Sequence, residues 1–554
     1  MIHNGVYAIF IKGMNVMTYG MLKNIIIGSL FVAFGSVVYV LYDNQKNTWE
    51  HLVLVKEELN EKSKNVTERV IERIEQKRSW GDIQKDLNNA VVHIITHKAE
   101  INILEPYRTP HQSTSLGSGF LISEDGEIIT NHHVIDQHFA VCIKIPALGK
   151  TIVDVDVVGT CPDRDLALLR IKPEGLALIK EALGKVPVLP LGDSDLVHRA
   201  DEVMALGYPL GQVALKSTTG VVSGREHMGG RYLIQISAPI NPGSSGGPTL
   251  NFAGEVIGIA NSGVVGAQNV GYVIPSNELK IVRDDLRKGG LLRRPFLGIV
   301  HNHSSVELVK HLGNPLPGGS YVVDVYQGSP LAKAGVKSGD MIYEINGHAV
   351  DMYGDIRVAW SEDKVAVADY VSRLELGQKI KMVVYRHGKR IDLSLVFAMS
   401  ELLPVHQIYP GYDKIDYEVF GGMVFQSLTI NHIPLLVSFA QGLLKYVEFE
   451  NEKKPALLVT HIIPNSQADR LEMLRPGLVV KEINGKEVGT LKDLREVIKA
   501  GVDKEVMTFK SSDGGLFALS IDKVLKDEPF LSVTHGYLLS PLIKDLLKHK
   551  NISV

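Results

Sequence analysis

The chain has 554 residues, of which 45% are hydrophobic and 22% charged, the balance of an ordinary globular protein. That length exceeds what one core supports and predicts three or four domains. A formal net charge of −3 argues against a general nucleic-acid binder, and the absence of an H-E-x-x-H, a P-loop or a dinucleotide fingerprint removes the chemistries those motifs carry.

The chain opens with residues 1–24, which hold Lys12 and Lys23 but no acidic side chain. An uncharged run, Ile25 to Tyr42, follows for 18 residues. As a helix it reaches about 27 Å, enough to span a bilayer. The lysines place the amino terminus in the cytoplasm and everything after Asp43 outside, periplasmic in a bacterium. Ala33-Phe34-Gly35 offers the small residues of a signal-peptide cleavage site, but the apolar run continues beyond it, favouring an uncleaved anchor. Residues 44–81 read as a helical stalk, with Leu52, Val55, Leu59, Val66, Val70 and Ile74 on one face. A short coiled coil and a solitary surface helix both fit, since Lys62 interrupts the seam.

From 82 to 288 short alternating apolar segments and turns predict a mainly β domain built of paired barrels. Three stretches in it carry chemistry. In "GSGFLISEDGEIITNHHVI" a strand delivers His132 and His133; in "CPDRDLALLRI" Asp163 and Asp165 precede a buried strand; in "NPGSSGGPTL" Ser244 and Ser245 sit among glycines. A serine hydroxyl is a poor nucleophile until a base takes its proton and a carboxylate orients that base. Glycines around Ser245 allow a sharp bend that leaves N–H groups free for an oxyanion. The plain alternative for that stretch is a flexible Gly-rich turn.

Together these motifs resemble the HtrA-type trypsin-like serine proteases, also called DegP or Deg proteases. The family pattern T-N-x-H-V meets Thr130 to Val134 and selects His133; D-L-A-L-L meets Asp165 to Leu169 and selects Asp165; G-N-S-G-G-P meets Gly243 to Pro248 and selects Ser245. The order His, Asp, Ser agrees with chymotrypsin-like double β-barrels. The resemblance implies a serine endopeptidase with catalytic residues His133, Asp165 and Ser245, and an oxyanion hole of the Gly243 and Ser245 N–H groups with that of Ser244. It implies no metal or organic cofactor, misfolded or damaged proteins as substrates, a pocket for small aliphatic side chains, and a homotrimer or multiple of trimers. Two departures bear on how the oxyanion loop is held: Ser244 replaces the family asparagine, and Gln235-Ile236-Ser237-Ala238 stands where many members read Q-T-D-A. His132 is expected at a strand end or on the surface, Asp163 in a turn, and His301 with His303 outside any metal site for want of a spaced third ligand.

Downstream, "VVDVYQGSPLAKAGVKSGDMIYEINGHAV", Val322 to Val350, resembles a PDZ domain, here 291–400. A related stretch spans Leu457 to Val488, and its "EING" lies 138 residues after the first, a domain-sized repeat. The second, PDZ-like domain is set at 401–526 and a C-terminal extension at 527–554. Its "YEVFGGMVFQSLT" is similar to plant-type Deg proteases, and Leu478 replaces the aspartate of the first copy's Gly339-Asp340 turn. PDZ domains add a peptide as a strand and catch its terminal carboxylate in backbone N–H groups; by resemblance Leu297, Gly298 and Ile299 form that loop in the first copy. A non-proteolytic chaperone and a PDZ scaffold are the alternatives, and neither requires a complete triad.

The two cysteines, Cys142 and Cys161, are expected as free thiols. A hairpin turning near Gly149 sets Cys142 opposite about Asp156, leaving Cys161 about 16 Å along the strand, too far for a bridge.

Overall fold

The computed structural model describes residues 28, 79–228, 230–263, 269–295 and 297–552. The expected membrane helix, apart from residue 28, and the stalk as far as residue 78 lie outside them. Among the described residues no helix is long and apolar enough to cross a membrane. The chain divides into two units, Met1–Asp82 and Ile83–Val554. In the first, the Ser79 N–H donates to Asp82 Oδ2 at 3.0 Å and the Asp82 N–H to Ser79 Oγ at 3.2 Å, the reciprocal capping that starts a helix.

The second unit begins its sheets with β1 (Val91–Glu100), β2 (His111–Leu121), β3 (Glu127–Thr130), β4 (His138–Lys144), β5 (Val153–Cys161) and β6 (Leu166–Ile171). Their order, β5-β4-β1-β2-β3-β6, closes on itself through β5 and β6. Inward side chains such as Val92, Ile94, Leu121, Ile128, Ile143 and Leu169 fill this barrel. A second closed barrel follows, β10-β11-β12-β9-β8-β7, from β7 (Glu202–Gly207), β8 (Lys216–Met228), β9 (Arg231–Ile236), β10 (Pro248–Leu250), β11 (Val256–Gly263) and β12 (Gly271–Pro275). Closure leaves neither barrel with an edge strand among the described residues. The helix Ser276–Arg287 then lays Leu279, Val282 and Leu286 inward, and β13 (Gly290–Leu291) pairs with β5.

One register differs from expectation. Cys142 pairs with Asp154, not Asp156, because a 3-10 turn at Pro146–Leu148 and a left-handed Gly149 precede β5. Cys142 and Cys161 are both buried and free.

The next sheet runs β14-β15-β16-β20-β21, where β14 is Ile299–Asn302, β15 Ser320–Val325, β16 Met341–Ile345, β20 Lys379–Arg386 and β21 Lys389–Val396. Between β16 and β20 lie β17 (His348–Ala349), paired with β16, and the two-stranded pair β18 (Asp355–Ile356) and β19 (Val365–Ala366). The last sheet repeats the order as β23-β24-β25-β27-β28 and adds β22 outside β23. These are β22 (Glu418–Phe420), β23 (Met423–Ser427), β24 (Leu457–Ile462), β25 (Leu478–Ile483), β27 (Val506–Ser511) and β28 (Leu516–Ser520), with β26 (Lys486–Glu487) paired to β25 as β17 is to β16. The repeated "EING" is the same hairpin twice. Asn346-Gly347 and Asn484-Gly485 all have positive φ, the type I′ turn that matches strand twist.

Asp340, fully buried, accepts Arg386 Nε at 2.6 Å and the Lys337 N–H at 2.9 Å. Its replacement by Leu478 in the second repeat therefore removes an internal ion pair. The expected boundary at 526/527 falls inside the helix Ile521–His535. Leu531, Tyr537, Ile543 and Leu547 beyond it share one core with Phe420, Phe425 and Phe509, so the extension belongs to the second repeat.

Candidate active site

His133 stands on a single helical turn, His132–Ile135, that follows β3 directly. Its N–H donates to Asp165 Oδ1 at 2.9 Å and its Nδ1 lies 2.7 Å from Asp165 Oδ2. Two contacts to one carboxylate fix both the ring and the backbone that carries it. Asp165 is reached through the 3-10 turn Pro162–Arg164 and adopts a left-handed conformation, φ +56, which Asp tolerates better than most residues. Asn131 Nδ2 donates to its carbonyl at 2.9 Å. Burial pushes the Asp165 carboxyl upward, but the hydrogen bonds and charge of His133, then the charge of Arg231, outweigh it and hold the group below its ordinary range.

Ser245 lies on the loop that joins β9 to β10 within the second barrel. Its Oγ donates to the Asn261 carbonyl at 3.0 Å, and its own carbonyl accepts the Ser118 N–H at 2.8 Å. Gly243 has φ +95, and a Cβ there would press on Tyr208 O and Leu210 N, so only glycine fits. Ser118 Oγ donates to Gly243 O at 2.7 Å. The Ser244 N–H, in contrast, donates to Asn241 O at 2.9 Å. That amide is closed inside the turn, while those of Gly243 and Ser245 meet no acceptor among the described residues.

The fold thus links His133, Asp165 and Ser245 through contacts to Asp165 and Asn261, and it adds two residues the motifs did not single out. Asn261, buried in β11, donates from Nδ2 to Asp165 Oδ2 at 2.5 Å while its carbonyl accepts Ser245 Oγ. A polar residue interrupting an apolar strand was the signal. Arg231 places Nη1 3.4 Å from Asp165 Oδ2; nothing local in the sequence marks it.

His132 is buried, not exposed: in a helical turn its side chain leaves His133 by rotation, toward Thr160 Oγ1 at 2.7 Å and the Tyr409 ring. Burial pushes its pKa down. Asp163 sits in the expected turn and accepts the Tyr409 hydroxyl and the Arg294 N–H, each at 2.7 Å. His301 Nδ1 lies 2.7 Å from Ser320 Oγ, and among the described residues no cluster of His, Cys, Asp or Glu could hold a metal.

Of the expected peptide loop, Leu297 is half-buried against the first repeat's core and Ile299 is inside it. Gly298 has φ +74, and a Cβ on it would enter the space of Ser329. The close approach that demands glycine is therefore to Ser329. The outer edge of β14 pairs with no strand among the described residues.

Residues 117–259 match the family model of the trypsin-like peptidase domain, and residues 295–396 that of the PDZ domain. A Pseudomonas putida (strain GB-1) protein described as a probable periplasmic serine endoprotease, DegP-like, is 30% identical over 416 residues, covering 72% of this chain and 78% of that protein. A Marinomonas protein of the same description is 35% identical over 292 residues, 51% of this chain and 57% of its own length. Among solved structures, the HtrA-type protease AlgW with decapeptide is 26% identical, with a TM-score of 0.46, over 58% of this chain and 99% of the other.

Proposed function

This chain belongs to the DegP-like family of serine endoproteases, and on that premise we propose that Ser245, His133 and Asp165 carry out its peptide-bond hydrolysis. Ser245 Oγ attacks the scissile carbonyl carbon as His133 Nε2 takes its proton. The tetrahedral oxyanion is held by the Gly243 and Ser245 N–H groups. Collapse breaks the C–N bond, and the proton passes from His133 to the leaving amine. Water, deprotonated by His133, then releases the acyl group and restores Ser245. Asp165 keeps Nδ1 protonated and Nε2 free to act as base. The observation that carries this reading is the pair of contacts from Asp165 to the His133 ring and backbone. In the described conformation Ser245 Oγ points to Asn261 O; catalysis requires a side-chain rotation that turns it to His133.

Substrates are unfolded or damaged proteins, held as extended chain beside Ser245. The first PDZ domain takes apolar peptide carboxyl termini by strand addition to β14, with Leu297, Gly298 and Ile299 at the carboxylate. The protease works as a homotrimer or a multiple of it, outside the cytoplasm, anchored by residues 25–42. The periplasmic description of the relatives supports the extracytoplasmic placement, and the open β14 edge supports the peptide site. Incubation of an unfolded protein with the wild type beside Ser245→Ala tests the activity: the wild type produces fragments and the variant none. Equal cleavage by both would reject Ser245 as nucleophile.

A further inference from the structure

Leu297-Gly298-Ile299 and Gly421-Gly422-Met423 occupy the same place in their two sheets. Gly298 and Gly422 have φ of +74 and +88. Their carbonyls accept the N–H groups of Tyr326 and Ile463, each at 2.7 Å. A Cβ on either would enter the space of a serine, Ser329 or Ser466. Gly421 is therefore the counterpart of Leu297, one of the residues assigned to the peptide carboxylate in the first repeat.

In the second repeat that position is filled. The Gly421 N–H donates to Glu528 Oε1 at 2.7 Å, across 107 residues of chain. The Gly422 backbone amide also favours the charged form of this carboxyl, and the Tyr537 hydroxyl donates to Oε2 at 2.6 Å. Glu528 is fully buried, a placement that is costly unless its oxygens find donors. The sheet edge is filled as well. β22 pairs antiparallel with β23, Glu418 with Phe425 and Phe420 with Met423, and its carboxyl-terminal end abuts Gly421. That is the direction in which a bound peptide strand would run into a carboxylate loop.

We propose that the second repeat is a peptide-carboxylate site filled by its own chain, with β22 as the added strand and Glu528 as the carboxylate ligand. The helix Ile521–His535 is then the ligand-bearing element of this domain, and the first repeat alone is open to peptide ends. The proposal rests on the reading of Leu297–Ile299 as a carboxylate loop.

The test uses the full chain. Glu528→Gly empties the site, and acetate at constant ionic strength refills it. The variant should melt several degrees lower than the wild type, and acetate should raise its melting temperature while leaving the wild type unchanged and acetamide ineffective. In Glu528→Gln, which preserves shape, hydrogen exchange at Gly421–Gly422 should quicken about ten-fold at about pH 8, where the wild-type Glu528 is ionised, with Leu297–Ile299 unaffected. Calorimetry with a peptide ending in a free apolar carboxyl should find one site per wild-type chain. Two sites, an equal acetate shift in variant and wild type, or unchanged exchange in Glu528→Gln would overturn the proposal. No peptide binding at all would reject the reading of the first repeat, while the acetate and exchange results would still decide what fills the second.

Discussion

Asn261 touches both ends of the candidate triad: its Nδ2 donates to Asp165 Oδ2 and its carbonyl accepts Ser245 Oγ. One strand residue thereby holds the acid in place and gives the nucleophile a resting partner. Asn261→Ala should leave Asp165 short of one charge-assisted hydrogen bond, a loss of about 1.5–3 kcal/mol, or roughly 10- to 100-fold in kcat. KM should change little, because no substrate contact is removed. Steady-state kinetics on a chromogenic peptide would show it; a rise in KM at constant kcat would contradict the assignment.

Ser244 and Ser245 are separated by the use of their amides. With its N–H closed onto Asn241, Ser244 has no part in the oxyanion hole, so Ser244→Ala should keep peptide cleavage and fluorophosphonate labelling. Ser245→Ala should lose both. Comparable residual activity in the two variants would count against Ser245.

Asp163 couples the loop carrying Asp165 to Tyr409 and Arg294. Asp163→Ala removes two hydrogen bonds at once and should lower kcat several-fold by letting Asp165 wander, at about 1 kcal/mol per bond. Tyr409→Phe, which deletes one of them, should fall between Asp163→Ala and wild type. An unchanged rate in Asp163→Ala would show that the turn Pro162–Arg164 is rigid by itself.

Gly298→Val should abolish peptide binding by destabilising the first repeat. A β-branched residue at φ +74 is strained by about 1–3 kcal/mol, and its Cβ collides with Ser329. Thermal melting and calorimetry should therefore fail together. Amidating the peptide is the cleaner probe of the carboxylate loop, since it weakens binding and leaves the protein intact. A Gly298→Val protein of normal stability would disprove the packing argument.

Glu528 predicts a pH dependence. Burial, opposed by the Tyr537 hydroxyl and the Gly421 N–H, pushes its carboxyl up from 4.5 to about 7. The folded state then binds the proton more tightly than the unfolded state. The stability this confers is complete below about pH 4.5 and is lost as pH rises through about 7, on the order of 3 kcal/mol in all. Denaturant titrations between pH 5 and 8 should show the wild type losing stability relative to Glu528→Gln as pH rises. Parallel curves for the two would exclude a titrating Glu528.

Much of this was legible in the chain itself, because it is written in short stretches. Alternating apolar residues and turns specify barrel strands by their period of two. "EING" gives a type I′ hairpin in both repeats, since Asn and Gly admit positive φ at little cost. The spacing of "TNHHV", "DLALL" and "GSSGGP" places each candidate catalytic residue at a strand end or tight turn. Tertiary structure decided what lies far apart in sequence. His132 is buried because His132–Ile135 turns as a helix against Thr160 and Tyr409, and Cys142 meets Asp154 because a 3-10 turn shortens the hairpin. Asn261 joins Asp165 to Ser245 across 96 and 16 residues, and Glu528 reaches Gly421 across 107. Local patterns constrain φ, ψ and which face is apolar; which donor meets which acceptor depends on how whole elements pack, and no short window of sequence contains both partners.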